Sequence, residues 1–262
     1  VRTEESRELR EPSEDDGTDR NDEGGDDVGV LRIWRAMCPE LQEHWPEDEQ
    51  PEDWLRMTME NGRVVSLVFD EMGLTGAVPA EVGRLSALRT LDLDGNQLTS
   101  VPAEIGQLTS LEELDLTDNQ LTSAPAEIGQ LTSLKVLSLA SNLLTSVPAE
   151  IGQLTSLERL HLVDNRLTSL PAEIGQLTAL KELWLGFNKL TSLPAEIGQL
   201  TSLKRLSLNH NLLTTVPAEI GQLRSLKHLW LNNNQLTSVP PAIRELEAAA
   251  AKWCTGSVWD DL

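Results

Sequence analysis

The sequence predicts an α/β solenoid with a concave parallel β-sheet and short helical turns on its convex face. One observation is the pattern LxxLxLxxN, which opens at leucines spaced 23 residues apart, Leu88, Leu111, Leu134, Leu157, Leu180, Leu203 and Leu226. A variant one residue longer opens at Val64, which makes eight copies with the period of a solenoid. The other observation is the alternation of apolar and polar residues within each copy.

The stretch from Leu180 to Ser202, LKELWLGFNKLTSLPAEIGQLTS, shows the physical chemistry of one copy. LxxLxL alternates with the period of a β-strand, so Leu183 and Leu185 point inward and Trp184 points outward. Asn188 lies where the chain turns, and we expect the amides of stacked copies to form a ladder that satisfies backbone groups. One copy cannot bury its apolar face alone, whereas stacked copies form one continuous core.

The rest of the copy, LTSLPAEIGQL, predicts a single helical turn on the convex side. Pro194 suits the first helical position, and Gly198 is expected to stop the turn. Ile197 and Leu200 then point back at the strand leucines. A glutamate recurs at the start of this turn, where its negative charge stabilises the N-terminal end of the helix. The alternative is that these glutamates dock a polybasic partner. This glutamate occurs at Glu81, Glu104, Glu127, Glu150, Glu173, Glu196 and Glu219.

The combined motif LxxLxLxxNxLTxLPxxIgxL resembles the leucine-rich repeat in its 23-residue form. It is similar to the repeats of intracellular Ras-associated and LAP-type scaffold proteins. The first copy, LTGAVPAEVG, is closer to the plant-type 24-residue repeat, and W…ENGRVVSL resembles the N-terminal cap of plant- and alga-like members, without their paired cysteines. The resemblance implies a horseshoe whose inner face binds another protein.

Composition divides the chain into four parts. Residues 1–29 hold twelve acids, four bases and hardly an apolar side chain, which is typical of a disordered tail. Residues 30–63 form an N-terminal cap, in which Asn61-Gly62 makes a turn. Residues 64–248 hold the eight repeats, and residues 249–262 form a C-terminal cap or tail. The open N-terminal end of the core is expected to be covered by Trp34, Trp45 and Trp54.

Two helices are predicted at the ends of the solenoid. One short amphipathic helix is predicted in the N-terminal cap from the spacing of its apolar residues, Leu31, Trp34, Met37 and Leu41. At the other end, Arg244–Lys252 is rich in helix formers and extends the last turn into a helix that closes the core. Trp253, Val258 and Trp259 are expected to fold back onto this helix.

The copies differ mainly at the outward places of LxxLxLxxNx, which tile the concave face. The first three copies supply eight acids against Arg89, a net charge of −7, from Asp70, Glu71, Asp92, Asp94, Glu112, Glu113, Asp115 and Asp118. The last three supply five bases against Glu182, a net charge of +4, from Lys181, Lys189, Lys204, Arg205 and Lys227. The concave face is therefore predicted to be acidic at one end and basic at the other.

Aromatic side chains are expected at the basic end of this face, which has the composition of a binding hot spot. The alternative is that Trp184 lies flat on neighbouring side chains without a binding role. The candidate partner-binding residues are Trp184, Phe187, Trp230, His161, Arg205, His210, His228, Asp92, Asp94, Asp115 and Asp118.

No catalytic, cofactor or metal site is predicted. Asp115, Ser138 and His161 occupy one place on successive strands, but Ser138 lies between the other two, whereas a triad needs the histidine there. Four acids could attract a hard cation such as Ca²⁺, but no loop backbone is positioned to complete the shell. These acids are Asp92, Asp94, Asp115 and Asp118.

Charge and composition limit the classes of partner. The net charge of −21 argues against nucleic acid and anionic membranes, and no apolar run of 18 residues predicts a membrane-spanning helix. Two cysteines favour a reducing compartment. We therefore expect a monomeric, cytoplasmic, non-enzymatic protein-binding module that serves as a signalling scaffold or sensor. The alternatives are the ligand-binding part of a larger receptor, kinase or GTPase, and an extracellular location if a leader has been removed.

Overall fold

The computed structural model describes residues 27–46, 54–238, 241 and 243–244. Helices α1 (Asp27–Met37) and α2 (Pro39–His44) come first. The strands that follow are β1 (Met57–Glu60), β2 (Arg63–Val68), β3 (Thr75–Ala77), β4 (Thr90–Asp92), β5 (Gln97–Ser100), β6 (Glu113–Asp115), β7 (Val136–Ser138), β8 (Arg159–His161), β9 (Glu182–Trp184), β10 (Arg205–Ser207) and β11 (His228–Trp230). No helix among these residues has the length and apolar character needed to cross a membrane.

Nine strands form one sheet in the order β1-β2-β4-β6-β7-β8-β9-β10-β11. β1 is antiparallel to β2, and every later pair is parallel. The register is constant from β4 onward, as in the pairing of Leu160 with Leu183. The predicted solenoid with a parallel sheet is confirmed. A second, two-stranded sheet of β3 and β5 was not predicted, and it joins the first repeat to the second.

The convex side carries five-residue 3₁₀ turns, in which the proline and the glycine have other roles than the predicted ones. Pro194 precedes the turn Ala195–Gln199 in an extended conformation, so it caps the turn and does not start it. Gly198 lies inside the turn and does not stop it. A Cβ on Gly198 would lie 2.5 Å from the carbonyl oxygen of Glu219 in the next copy, so the glycine lets neighbouring turns pack closely.

The core and the asparagine ladder follow the predicted pattern. The inward leucines and isoleucines are buried, as Leu183, Ile197 and Leu200 illustrate. Asn165 is also buried, and its Oδ1 accepts a hydrogen bond of 3.0 Å from the backbone N–H of Leu144. Its Nδ2 donates to carbonyl oxygens of its own copy and of the preceding copy. Six buried asparagines repeat this arrangement, Asn96, Asn119, Asn142, Asn165, Asn188 and Asn211.

The N-terminal cap buries its tryptophans, as the sequence predicted. Trp45 stacks on Trp54 with ring centroids 4.9 Å apart, and Trp34 packs against Phe69 of the first repeat. The expectation that Met37 belongs to this apolar face is wrong. Met37 is the last residue of α1, and its side chain is half exposed because the chain turns there into α2.

The predicted end of the tail at residue 29 is wrong, because α1 begins at Asp27. The Asp27 carboxylate is buried and accepts hydrogen bonds from the backbone N–H of Val64 and from the guanidinium of Arg63. This ion pair ties α1 to β2, the first strand of the repeats. Asp27 therefore belongs to the folded cap, and residues 1–26 of the predicted tail lie outside the described residues.

Asn61 and Gly62 form the predicted hairpin turn between β1 and β2, and both have positive φ values, 51° and 76°. This is the backbone of a type I′ turn. At the other end, Ile243 is buried. The helix expected over Arg244–Lys252 lies outside the described residues beyond Arg244, as do Trp253, Val258 and Trp259.

Candidate functional site

Five of the eleven candidate residues share one register on the concave face, Asp92, Asp115, His161, Trp184 and Trp230. Asp92 pairs with Asp115, and then Ser138, His161, Trp184, Ser207 and Trp230 follow strand by strand. Adjacent strands lie about 4.8 Å apart, so one row of side chains crosses the whole sheet. This row brings Asp92 next to Asp115, and His161 next to Trp184, as the sequence predicted.

The acidic end carries unpaired carboxylates. Of the eight predicted acids, Asp70 pairs with Arg56 and Glu112 pairs with Lys135. The other six form no ion pair with any described residue. We call these six the acidic cluster, Glu71, Asp92, Asp94, Glu113, Asp115 and Asp118.

Partial burial and like charge act together within the acidic cluster. Burial raises the pKa of Asp92, and repulsion from Asp115 and Asp70 raises it further. The pKa of Asp94 is also raised, first by burial and then by the charges of Asp115 and Asp92. In both cases the surroundings disfavour the ionised carboxylate, and a bound cationic group would relieve the repulsion.

At the opposite end of the face, two tryptophans stack across a strand. The rings of Trp184 on β9 and Trp230 on β11 lie 5.4 Å apart at 24° to each other. Ser207 of β10 lies between them in the same register and is buried. His161 meets Trp184 edge-on, and His228 stacks on Trp230. Trp184 thus rests against its neighbours, and part of both indole surfaces remains open to solvent.

Phe187 and His210 form a second stack, with ring centroids 4.1 Å apart and 50% of Phe187 exposed. Both residues have positive φ values, 56° and 54°. Every described repeat has a left-handed residue at this place, and Gly95, Asp118 and Asn233 are of the types that tolerate it. A bulky Phe at such a place costs backbone energy, and half of its surface stays exposed. We call Trp184, Trp230, Phe187, His161, His210 and His228 the aromatic cluster.

Glu182 was missed as a functional residue, and it organises this end of the face. Its carboxylate accepts a hydrogen bond of 3.2 Å from the indole Nε1 of Trp184 and pairs with the guanidinium of Arg205. The candidate Arg205 is therefore held by Glu182. Its place in the sequence could have indicated this role, because Glu182 is the single acid among the basic residues at the outward places of the last three copies.

The lysines at this end divide into paired and unpaired groups. Lys181 pairs with Glu158 at 2.7 Å. Lys189, Lys204 and Lys227 are exposed and form no ion pair with a described residue. These three lysines leave positive charge beside the aromatic cluster, opposite in sign to the acidic cluster.

The row that suggested catalysis has no catalytic geometry. The hydroxyl of Ser138 hydrogen-bonds with Thr117 Oγ1 at 2.6 Å, and Nε2 of His161 is buried without a hydrogen-bond partner. Burial lowers the pKa of His161. Within the described part of the chain, no group of three or more His, Cys, Asp or Glu side chains is arranged to hold a metal ion.

Solved structures similar to this chain include a leucine-rich repeat protein of Leptospira interrogans, with 42% identity and a TM-score of 0.54, covering 70% of this chain and 52% of that one. The ectodomain of the Arabidopsis receptor kinase HAESA, in complex with an IDA peptide hormone, has 31% identity and a TM-score of 0.72, and the match covers 84% and 39%. The plant peptide hormone receptor RGFR1 in complex with RGF2 has 34% identity and a TM-score of 0.61, covering 76% and 36%.

This chain therefore spans about half the length of the Leptospira protein and under two fifths of that of each receptor. A comparison with curated proteins found no match. The sequence matches a family model described as leucine-rich repeat region over residues 63–192 and 160–249, which together cover most of the chain. The chain belongs to the leucine-rich repeat family.

Proposed function

We propose that this protein is a non-enzymatic module that binds a protein partner in its concave groove. The observation that carries the proposal is the aromatic cluster, in which Trp184 and Phe187 occupy outward places of one copy and Trp230 an outward place two copies later. Isolated exposed apolar residues are common on protein surfaces, but clustered ones mark interaction sites. Trp184 and Trp230 supply the rigid apolar area that is typical of hot spots.

Two features of the face support this proposal, because each one costs stability. Phe187 occupies a left-handed backbone place where Gly, Asn or Asp would be less strained. The pKa values of Asp92 and Asp94 are raised, first by burial and then by the charge of Asp115. Unfavourable local arrangements of this kind cluster at binding sites, where a partner compensates for them.

The comparisons support the class of partner. The two plant receptors similar to this chain are described with bound peptide hormones. We therefore infer that the ligand is a protein or peptide, and we propose that the chain acts as a monomer.

The cellular role that we favour is a cytoplasmic scaffold or sensor in signalling. The repeats resemble those of intracellular scaffold proteins, and the N-terminal cap is held by aromatic packing and by the Asp27–Arg63 ion pair. Cys38 is buried in this cap, and its thiol donates a hydrogen bond to the carbonyl oxygen of Met72.

The second candidate is the ligand-binding part of a larger receptor, kinase or GTPase. It is favoured by the likeness to receptor ectodomains, of which this chain covers 39% and 36%. The full-length open reading frame decides between the two roles. A catalytic or membrane-spanning region in the same frame would support the receptor, whereas a frame without one would support the scaffold.

The experiment that tests binding in the groove is a quantitative pull-down read by mass spectrometry. The baits are the native chain, a Trp184→Ala/Trp230→Ala double variant and a Glu150→Ala variant. Glu150 lies in a 3₁₀ turn on the convex side, so its substitution is the matched control. We expect one set of proteins to be captured by the native chain and by Glu150→Ala and to be lost with the double variant. Loss with Glu150→Ala alone would place the partner on the convex surface.

A further inference from the structure

The acidic and aromatic clusters lie at a fixed separation, because they stand on one rigid sheet. Asp115 on β6 and Trp184 on β9 are three strands apart, and Asp92 on β4 and Trp230 on β11 are six strands apart. At about 4.8 Å per strand, these distances are roughly 14 Å and 29 Å, and the two cluster centres lie roughly 22 Å apart.

Short side chains line the groove between the clusters at the C-terminal end of β7. On β7 and just after it, Ser138 is buried and Ala140 and Ser141 are small. Thr117 in the preceding copy is held against Ser138 by their hydrogen bond. The exposed Arg159 of β8 lies in the neighbouring row, in register with Val136, and not in the row of Ser138. A polypeptide backbone can therefore pass over Ser138 from one cluster to the other.

We propose that the groove takes one extended segment of a partner protein that carries basic residues at one end and, about seven residues away, a bulky apolar residue beside acidic ones. This inference rests on the proposed function. The separation follows from the roughly 22 Å between the clusters and the 3.3 Å that an extended chain spans per residue. The same distance in a helix would need about 15 residues.

The charges decide the polarity of the segment. Its basic end faces the acidic cluster, where a cation relieves the repulsion among Asp92, Asp94 and Asp115. Its apolar residue packs on the open surfaces of Trp184 and Trp230. Its acidic residues face Lys204 and Lys227, which have no described ion-pair partner, and not Arg205, which Glu182 already holds.

The test uses synthetic peptides that join a Lys-Lys end to a Trp-Asp-Asp end, either directly or through seven Gly and Ser residues. Each peptide is made in both orders and titrated against the native chain by fluorescence anisotropy at low salt. Of the two peptides with the seven-residue linker, we expect one to bind at least about 10-fold more tightly than either directly joined peptide. The reason is that only the longer peptide reaches both clusters. That gain should disappear with Asp92→Asn/Asp115→Asn and with Trp230→Ala.

The outcomes separate this inference from the proposed function. Equal affinities of the long and direct peptides, or tighter binding of a direct one, would overturn the bipolar segment. The absence of measurable binding by any peptide would overturn it too. If the pull-down partner is nevertheless lost with Trp184→Ala/Trp230→Ala, binding in the groove stands and only the form of the ligand is wrong. If that partner is retained as well, both proposals fail.

Discussion

The rings of Trp184 and Trp230 stack 5.4 Å apart although strand β10 separates their strands. The residue between them in register is Ser207, whose hydroxyl donates to Asn209 Oδ1 at 2.5 Å. A small side chain at this place lets the two indoles meet above it, so Ser207 determines the shape of the aromatic cluster without contacting a partner itself.

Ser207→Leu should separate the two indoles and weaken partner binding, because its larger side chain occupies the space below the rings. Ser207→Ala is the matched control, since it loses the hydroxyl but keeps the space. We expect at least about a tenfold loss of affinity for the leucine variant, equivalent to about 1.4 kcal/mol, and a small change for the alanine variant. Near-ultraviolet circular dichroism should change with the leucine variant only. Equal behaviour of the two variants would contradict this role of Ser207.

Asp27→Ala should destabilise the protein by about 2–3 kcal/mol, because it removes buried charge-assisted hydrogen bonds to Arg63 and Val64. Urea denaturation followed by circular dichroism measures the difference. A pair of truncations supplies the comparison. Deletion of residues 1–26 should leave the thermal midpoint within a degree or two, as expected for a solvated segment, whereas deletion of residues 1–29 should lower it clearly. Equal midpoints for the two truncations would show that Asp27 does not hold the cap.

Asn165→Ala should lower the free energy of unfolding by about 1–3 kcal/mol, although it removes no apolar contact. The reason is that the backbone N–H of Leu144 loses its partner inside the stack, and the carbonyl of Leu139 keeps only the longer hydrogen bond from Asn142. Arg166→Ala, one residue later and exposed, should cost about 0.5 kcal/mol or less. Chemical denaturation of both variants measures the two costs, and similar values would argue against the ladder.

The repeats were predictable from sequence because their signal is repeated. A 23-residue step and a two-residue alternation fix which face of every strand is buried, and a constant asparagine after each strand indicates the ladder. These features place Trp184 and Asp115 on the concave face without any knowledge of side-chain packing.

Other features depend on contacts that one copy does not show. The sequence of one copy suggested that Gly198 stops a helix. Its actual role is a close contact with Glu219, which belongs to the next repeat. Asp27 read as part of an acidic tail because its neighbours are also acidic, and only the position of Arg63 distinguishes it. The Trp184–Trp230 stack depends on the small size of Ser207 and on the rotamer of Trp184, which the hydrogen bond to Glu182 holds.

His161 should make stability depend on pH. Burial lowers its pKa in the folded protein, so the unfolded chain binds the proton first as the pH falls through about 6.5. Stability that is present above that value is therefore lost towards the lowered pKa of the folded state. Between pH 7.5 and 5.0, the native chain should lose more unfolding free energy than His161→Gln, which keeps the other three histidines. A larger loss in the variant would contradict this assignment.

The most direct measurement of the central claim is the binding kinetics of the partner recovered by the pull-down, by surface plasmon resonance. Trp230→Ala should cost about 2 kcal/mol or more in affinity, mainly through faster dissociation. Asp92→Lys/Asp115→Lys should slow association and flatten its dependence on salt, because the acidic cluster attracts the partner before contact. Glu150→Ala should change neither rate. Weaker binding by Glu150→Ala, with native rates for both groove variants, would show that the partner binds the convex surface.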